Sequence, residues 1–117
     1  CKASFKAANP EQRWQNSSQY CVHGIVAIVC CHDIPLYLTN LIDTGEKHFY
    51  TVTLMQKVMD QLPAAATVSV LYNIACQAHR SVNKHGLMPK LQGQITWATS
   101  VLHAYGHQWA CQLHFHP

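Results

Sequence analysis

Apolar residues recur along the first half of the chain in a pattern that predicts two strands followed by a helix. Residues 20–31 are nearly all apolar and rich in β-branched side chains, which predicts a strand buried on both faces. Residues 36–41 alternate loosely and predict a second strand, joined to the first as a hairpin by the turn at residues 32–35. Apolar side chains at three- and four-residue steps predict a helix over residues 46–62, which Pro63 ends.

The second half of the chain continues the alternation of strand and helix. Residues 67–74 predict a third strand, and the order strand, helix, strand favours a parallel crossover around the preceding helix. Residues 75–85 predict a second helix that Gly86 closes. Residues 94–102 fit either a strand or a buried helix, and residues 103–112 are predicted to be helical. The predicted fold class is therefore α/β, with a mixed sheet flanked by helices.

These elements predict one domain over residues 1–117, since a chain of this length can bury one core. Residues 1–19 are polar and punctuated by turn residues, and they predict an irregular lead-in that Phe5 and Trp14 pin to the body. The chain stops without a capping element, which favours a truncated domain, either a fragment or a shortened copy.

Composition bears on chemistry more than on fold. Only 11% of the residues are charged, below the roughly 25% of ordinary domains, which favours either extensive burial or a piece of something larger. The net charge of +3 is too small to assert nucleic-acid binding by itself. No apolar run reaches the roughly 20 residues that a membrane helix needs. Six cysteines without a signal peptide favour reduced thiols over a disulfide framework.

Cysteine and histidine residues in two segments are spaced like metal ligands. Cys76 and His79 stand three residues apart. His103, His107 and Cys111 follow at four-residue steps, which would place them on one face of a helix. Thiolate and imidazole ligands in a set of four are typical of structural zinc, so these candidates compete for four positions. The alternative is that the cysteines are buried thiols and that the histidines bond to backbone carbonyls.

The sequence gives only weak indications of a catalytic site or a basic binding surface. Asp33 alone among the acidic residues follows a predicted strand directly, and a role in the turn explains it better than metal binding. The sequence has no glycine-rich phosphate loop or serine nucleophile elbow, and a Cys–His nucleophile pair would lack an orienting carboxylate. Four cations around Gly86 could form a basic patch, although a solvated surface is the favoured interpretation. They are Arg80, Lys84, His85 and Lys90.

Four segments carry distinctive motifs: residues 32–36, residues 45–47 with Tyr50, residues 72–80, and residues 103–109 with Cys111 and Gln112. Together with residues 4–8 and 17–20, these motifs resemble those of fungal Kyakuja–Dileera–Zisupton (KDZ) transposases. The resemblance extends over essentially the whole chain. It implies an RNase H-like fold, in which acidic residues hold Mg²⁺ ions that cut and join DNA strands.

The resemblance also indicates where this chain departs from an active transposase. The first expected acid position is filled by Val22 and the second by Asn73, and the third lies beyond the end of the chain. Because Mg²⁺ needs anionic ligands, the chain is expected to be catalytically inactive. Its expected role is to bind DNA or a protein partner, including a second copy of itself, inside the cell or its nucleus and not at a membrane.

The five Cys and His candidates stand where the family has them, so the resemblance implies a structural zinc ion. Two other functions stay open. One is a His-dependent nuclease that uses His23 near Asn73. The other is a small secreted, disulfide-linked binding or defence protein of the lectin type. Nuclease assays with and without chelator would separate the first from an inactive domain, and a thiol titration would separate the second.

Overall fold

The computed structural model describes residues 21–42 and 47–117. In chain order, the elements within these residues are β1 (Gly24–Val29), β2 (Pro35–Leu41), α1 (His48–Met59), β3 (Val68–Leu71), α2 (Ala75–His85), β4 (Ile95–Ala98), α3 (Val101–Ala104) and α4 (Trp109–His114). The fold class is small mixed α/β, as predicted, with one antiparallel and one parallel two-stranded sheet among the described strands. The predicted lead-in at residues 1–19 lies outside the described residues.

Two compact units make up the described residues. The N-terminal unit comprises the described residues up to Gln61, and the C-terminal unit comprises Leu62–Pro117. The prediction of a single domain over residues 1–117 stays a prediction. Within residues 21–42 and 47–117, every helix is too short or too polar to cross a bilayer.

The first two strands of the N-terminal unit form the predicted antiparallel hairpin, with Gly24 paired to Leu41 at its open end. In the turn, the Asp33 N–H donates to the Cys30 carbonyl (3.0 Å), and Asp33 adopts a φ of 59°, which a short polar side chain tolerates. The expected burial of β1 on both faces is wrong, because Ile25 is 65% exposed and exposed positions alternate with half-buried ones. Within this unit α1 packs against the hairpin, and a hairpin covered on one side alternates in this way.

The helix of this unit, α1, is shorter than the predicted helix over residues 46–62. Its apolar stripe is buried as predicted at Met55 and Met59. The Tyr50 ring is buried as well, and its hydroxyl accepts a hydrogen bond from the Ile42 N–H (3.3 Å). This bond connects the first turn of α1 to the end of β2.

The C-terminal unit is built on a parallel crossover, β3–α2–β4. Val68 pairs with Ile95 at one end of the parallel strands and Leu71 with Ala98 at the other. α2 packs against β4, and Ala78 on its inner face is fully buried. The predicted crossover around α1 is wrong, because the parallel strands flank α2, one helix later in the chain. Among the described strands, β2 pairs with β1 alone, and β3 pairs in parallel with β4.

The second helix, α2, covers the predicted residues and ends where the sequence indicated. Gly86 follows it in the left-handed conformation, with φ 59° and ψ 33°. The Leu87 N–H then donates to the Val82 carbonyl (2.9 Å), which satisfies one of the last carbonyls of the helix. The ambiguous stretch at residues 94–102 begins with a strand, β4.

The predicted continuous helix over residues 103–112 is wrong. α3 ends at Ala104, the chain turns around Gly106, and α4 begins at Trp109. Gln108 is extended, with φ −62° and ψ 148°, and so separates the two helices. A glycine costs a helix about 1 kcal/mol relative to alanine, so a break close to Gly106 is the physically cheap outcome.

Candidate metal centre

The carboxyl ends of the two parallel strands meet at one edge of the C-terminal unit, and the candidate ligands follow those ends. Cys76 lies in the first turn of α2, just after β3. His107 and Cys111 lie after β4, in the turn before α4 and in the first turn of α4. The Thr99 N–H donates to the Phe115 carbonyl (2.7 Å), which returns the end of α4 to the end of β4. Because parallel strands end at a common edge, residues far apart in sequence meet there.

Three of the five predicted ligands converge at this edge. One ligand atom each from Cys76, His107 and Cys111 lies within 4.8 Å of the other two. The Cys76 Sγ is 3.3 Å from the His107 Nδ1. Two sulfur atoms and one imidazole nitrogen at this separation could hold a metal ion such as zinc.

The hydrogen bonds of His107 fix which of its nitrogens faces the group. The His107 Nε2 is 2.9 Å from the Asn73 carbonyl, which can only accept, so Nε2 carries the proton and donates. This leaves Nδ1 with its lone pair directed toward Cys76, the form in which an imidazole binds a metal. A carbonyl behind a ligating histidine is the usual second partner of such a ring. The donor set and its support therefore fit zinc.

The loop that carries His107 is held from the helix that follows it. The Gln112 side-chain amide donates to the His107 carbonyl (2.8 Å), and the Cys111 N–H donates to the Gln108 carbonyl (2.8 Å). These bonds join the turn before α4 to its first residues. His107 and Cys111 are thereby positioned by the same short segment.

The electrostatics of Cys76 favour a neutral thiol in the absence of a cation. Its side chain is 4% exposed. Burial raises the pKa of Cys76, and the neighbouring Cys111 raises it further by charge repulsion and a hydrogen bond. A hydrogen bond from the Gln77 backbone and then the charge of Arg80 act in the opposite direction. A metal ion stabilises the thiolate form of both cysteines, so binding would release their protons. The five cysteines of residues 21–42 and 47–117 are thiols in the structure.

His79 and His103 are not brought into the group. His79 is half-buried on the next turn of α2, where the Asn83 side-chain amide donates to its Nε2 (3.0 Å). Burial, and then the charge of His114, lowers the pKa of His79, so the ring is neutral at physiological pH. His103 is exposed on α3, and its Nδ1 lies 2.7 Å from the Ser100 hydroxyl. The helix break at Gly106 is what separates His103 from His107.

Asn73 is a contributor that reasoning from ligand types missed. Its main-chain carbonyl supports His107, and a backbone group carries no signal in the sequence. Its side-chain oxygen is buried and has no hydrogen-bond partner among the described residues. The position expected to hold the second acid therefore lies directly behind the candidate metal ligands. Val22, at the first expected acid position, is 41% exposed in the N-terminal unit.

The comparison with known families covers the full chain. Residues 1–117 match the family model described as Kyakuja-Dileera-Zisupton transposase. No curated protein and no solved structure matches the chain. The whole-length match agrees with the motif resemblance noted in the sequence. The chain therefore belongs to the KDZ transposase family.

Proposed function

We propose that this chain is a single RNase H-like transposase domain that does not cut DNA, is stabilised by zinc and acts by binding nucleic acid. One observation carries the proposal: Cys76, His107 and Cys111 converge at the carboxyl edge of a parallel crossover in a chain that matches the family throughout. The family suggests DNA as the partner. We place the protein in the nucleus or elsewhere inside the cell, where DNA is found and thiols stay reduced.

The zinc ion would be structural. Thiolates from α2 and α4 and the Nδ1 of His107 supply three ligands, and a closed structural site needs a fourth. We propose His79 for this position, because it lies one turn along α2 from Cys76; its Nε2 would exchange the Asn83 amide for the metal. The metal would join α2 to α4 and so stabilise the C-terminal unit.

Catalytic inactivity follows from the two expected acid positions. Val22 has no ligand atom, and Asn73 offers one neutral oxygen in place of a carboxylate. The hard Mg²⁺ ions of strand-transfer chemistry need anionic oxygen ligands, and a Cys₂His group does not replace them. The binding role is therefore the one that the residues support.

The test of the zinc site is the metal content of the purified chain by elemental analysis, with thermal melts before and after strong chelation. We expect one zinc per chain and a lower Tm after chelation, because the metal binds the folded site more tightly than the unfolded chain. His107→Ala should lose the zinc, whereas the matched variant His103→Ala should keep it. A metal-free wild type with an unchanged Tm would overturn the zinc proposal.

The test of inactivity is a plasmid-nicking assay with Mg²⁺ or Mn²⁺. We expect no nicking above that of buffer. Nicking that persists in chelator and disappears in His23→Ala would instead support the His-dependent nuclease. Metal-dependent nicking by the wild type would overturn the inactive assignment directly.

A further inference from the structure

The charges of the chain are divided unevenly along its length. All five acidic residues lie at or before Asp60, so the C-terminal unit contains none. The same unit holds three Lys and Arg residues and six of the nine histidines. The net charge of +3 therefore comes from the C-terminal unit, whose side chains are cationic or neutral throughout.

An open groove of about 580 Å³ lies between α2 and α4 in this unit. Its lining residues come from both helices and include no carboxylate. They are Cys76, His79, Arg80, Asn83, Lys84, Cys111, His114 and Phe115. Arg80 and Lys84 are exposed and stand four residues apart on α2, so both cationic side chains project from the same face. Two of the four cations around Gly86, Arg80 and Lys84, thus lie on a concave surface, whereas His85 and Lys90 do not line it.

We propose that this groove binds the phosphodiester backbone of nucleic acid, with Arg80 and Lys84 as its phosphate contacts. The inference rests on the proposed function and assigns the contact to a particular surface. Guanidinium and ammonium groups are the usual partners of phosphate oxygens, and the Asn83 amide adds a neutral donor. The Phe115 ring also lines the groove, where it packs edge-to-face with the His79 and His114 rings, so the groove contains aromatic side chains of the kind that contact bases or sugars.

The candidate metal ligands link this groove to the zinc site. Cys76 lines the wall on α2 and Cys111 lines the wall on α4. A metal ion held by both would fix the separation of the two helices, and its charge would offset that of two thiolates. Zinc would therefore keep the width of the groove constant, and it would place no net negative charge on the groove wall. Binding of zinc and of nucleic acid should then be positively coupled.

The experiment is a fluorescence-anisotropy titration of the full chain, loaded with zinc, against a labelled DNA duplex and the matching single strand over a range of salt concentrations. The groove variant is Arg80→Gln combined with Lys84→Gln. The matched control is Lys90→Gln, which removes an exposed cation of the same unit outside the groove. All three side chains are exposed, so circular dichroism should show native folding throughout.

We expect the groove variant to bind roughly tenfold more weakly and to lower the slope of log K against log salt by about two, since each lost phosphate contact removes about one. Lys90→Gln should leave affinity and slope near those of the wild type, and chelation should weaken the wild type. If the groove variant bound nucleic acid as tightly as the wild type, the assignment of the phosphate contacts to the groove would be wrong, whereas the proposal of nucleic-acid binding would stand. No salt-dependent binding by the wild type to either strand form would overturn both proposals. Equal competition by poly-glutamate would assign the groove to acidic peptides and overturn its assignment to nucleic acid.

Discussion

At the scale of single residues, the candidate metal centre depends on which atom of each residue faces inward. His107 directs Nδ1 toward Cys76 because its other nitrogen donates to the Asn73 carbonyl. The same Asn73 buries a side-chain oxygen that lacks a partner among the described residues. Three residues thus connect the expected acid position with the expected metal ligands, and each can be tested by a single substitution.

Restoring the acid should destabilise the fold. Asn73→Asp would place a carboxylate where a neutral oxygen is already buried, so we expect a loss of about 1–3 kcal/mol in the free energy of unfolding. Urea denaturation measures it. The same change at the exposed Asn40 should stay within about 0.5 kcal/mol of the wild type. An equally stable Asn73→Asp protein would show that the site accommodates the charge.

The raised pKa of Cys76 predicts a pH dependence of stability. In the metal-free, reduced protein the folded state keeps this thiol protonated after the unfolded chain has lost the proton, so its contribution is complete below the ordinary value of 9.0. Stability should fall as the pH rises from there through the folded pKa. With zinc bound the sign should reverse, because protons compete with the metal for both thiolates as the pH falls.

Urea unfolding at neutral and alkaline pH, with and without zinc, measures both slopes. Cys76→Ala should remove the alkaline loss in the metal-free protein. A metal-free wild type and a Cys76→Ala variant with the same alkaline slope would contradict the assignment to Cys76.

At the scale of elements, the second helix shows how far local signals reach. α2 covers the predicted residues. It ends where predicted because its end depends on one residue, Gly86, whose φ of 59° suits glycine. The break between α3 and α4 is a local feature too, although the spacing of His103, His107 and Cys111 argued against it. The histidine spacing suggested one helix face, but the helix is interrupted around Gly106 and at the extended Gln108.

Substitution of the glycine after α2 tests this local signal. Gly86→Ala should cost about 1 kcal/mol, because nothing crowds the new methyl group but the left-handed backbone strains any Cβ. Gly93→Ala is the matched control, since its Cβ also meets nothing within 4 Å and its φ lies outside the left-handed region. Chemical denaturation of the two variants should separate them. Equal stabilities would mean that the end of α2 does not depend on glycine.

At the scale of the whole molecule, the net positive charge and the candidate metal ligands are concentrated in one unit. The candidate ligands and the cationic groove both lie in Leu62–Pro117, and the acidic residues all precede it. The proposed binding surface therefore belongs to one unit, and the N-terminal unit contributes the hairpin and α1. This division is visible in the sequence only once the boundary near Gln61 is known.

Zinc removal should consequently affect the two units differently. Hydrogen exchange should quicken in α2, β4 and α4 after chelation, because the proposed zinc ion would join elements of that unit alone. Amides of the β1–β2 hairpin and α1 should keep their protection. Mass spectrometry of peptic fragments resolves the two groups. If exchange quickened equally in both units, the effect of the metal would not be confined to the C-terminal unit.

The sequence by itself determined the α/β class, the hairpin, the extent of α2, the family and the ligand types. These follow from periodicity, from single turn residues and from motifs, all of which act over a few neighbouring residues. Only the tertiary structure decided which strands run parallel, that His103 and His79 stay outside the three-residue group, and that Asn73 supports His107. Those features depend on contacts between residues about thirty positions apart, such as Cys76 with His107, and local patterns do not encode such contacts.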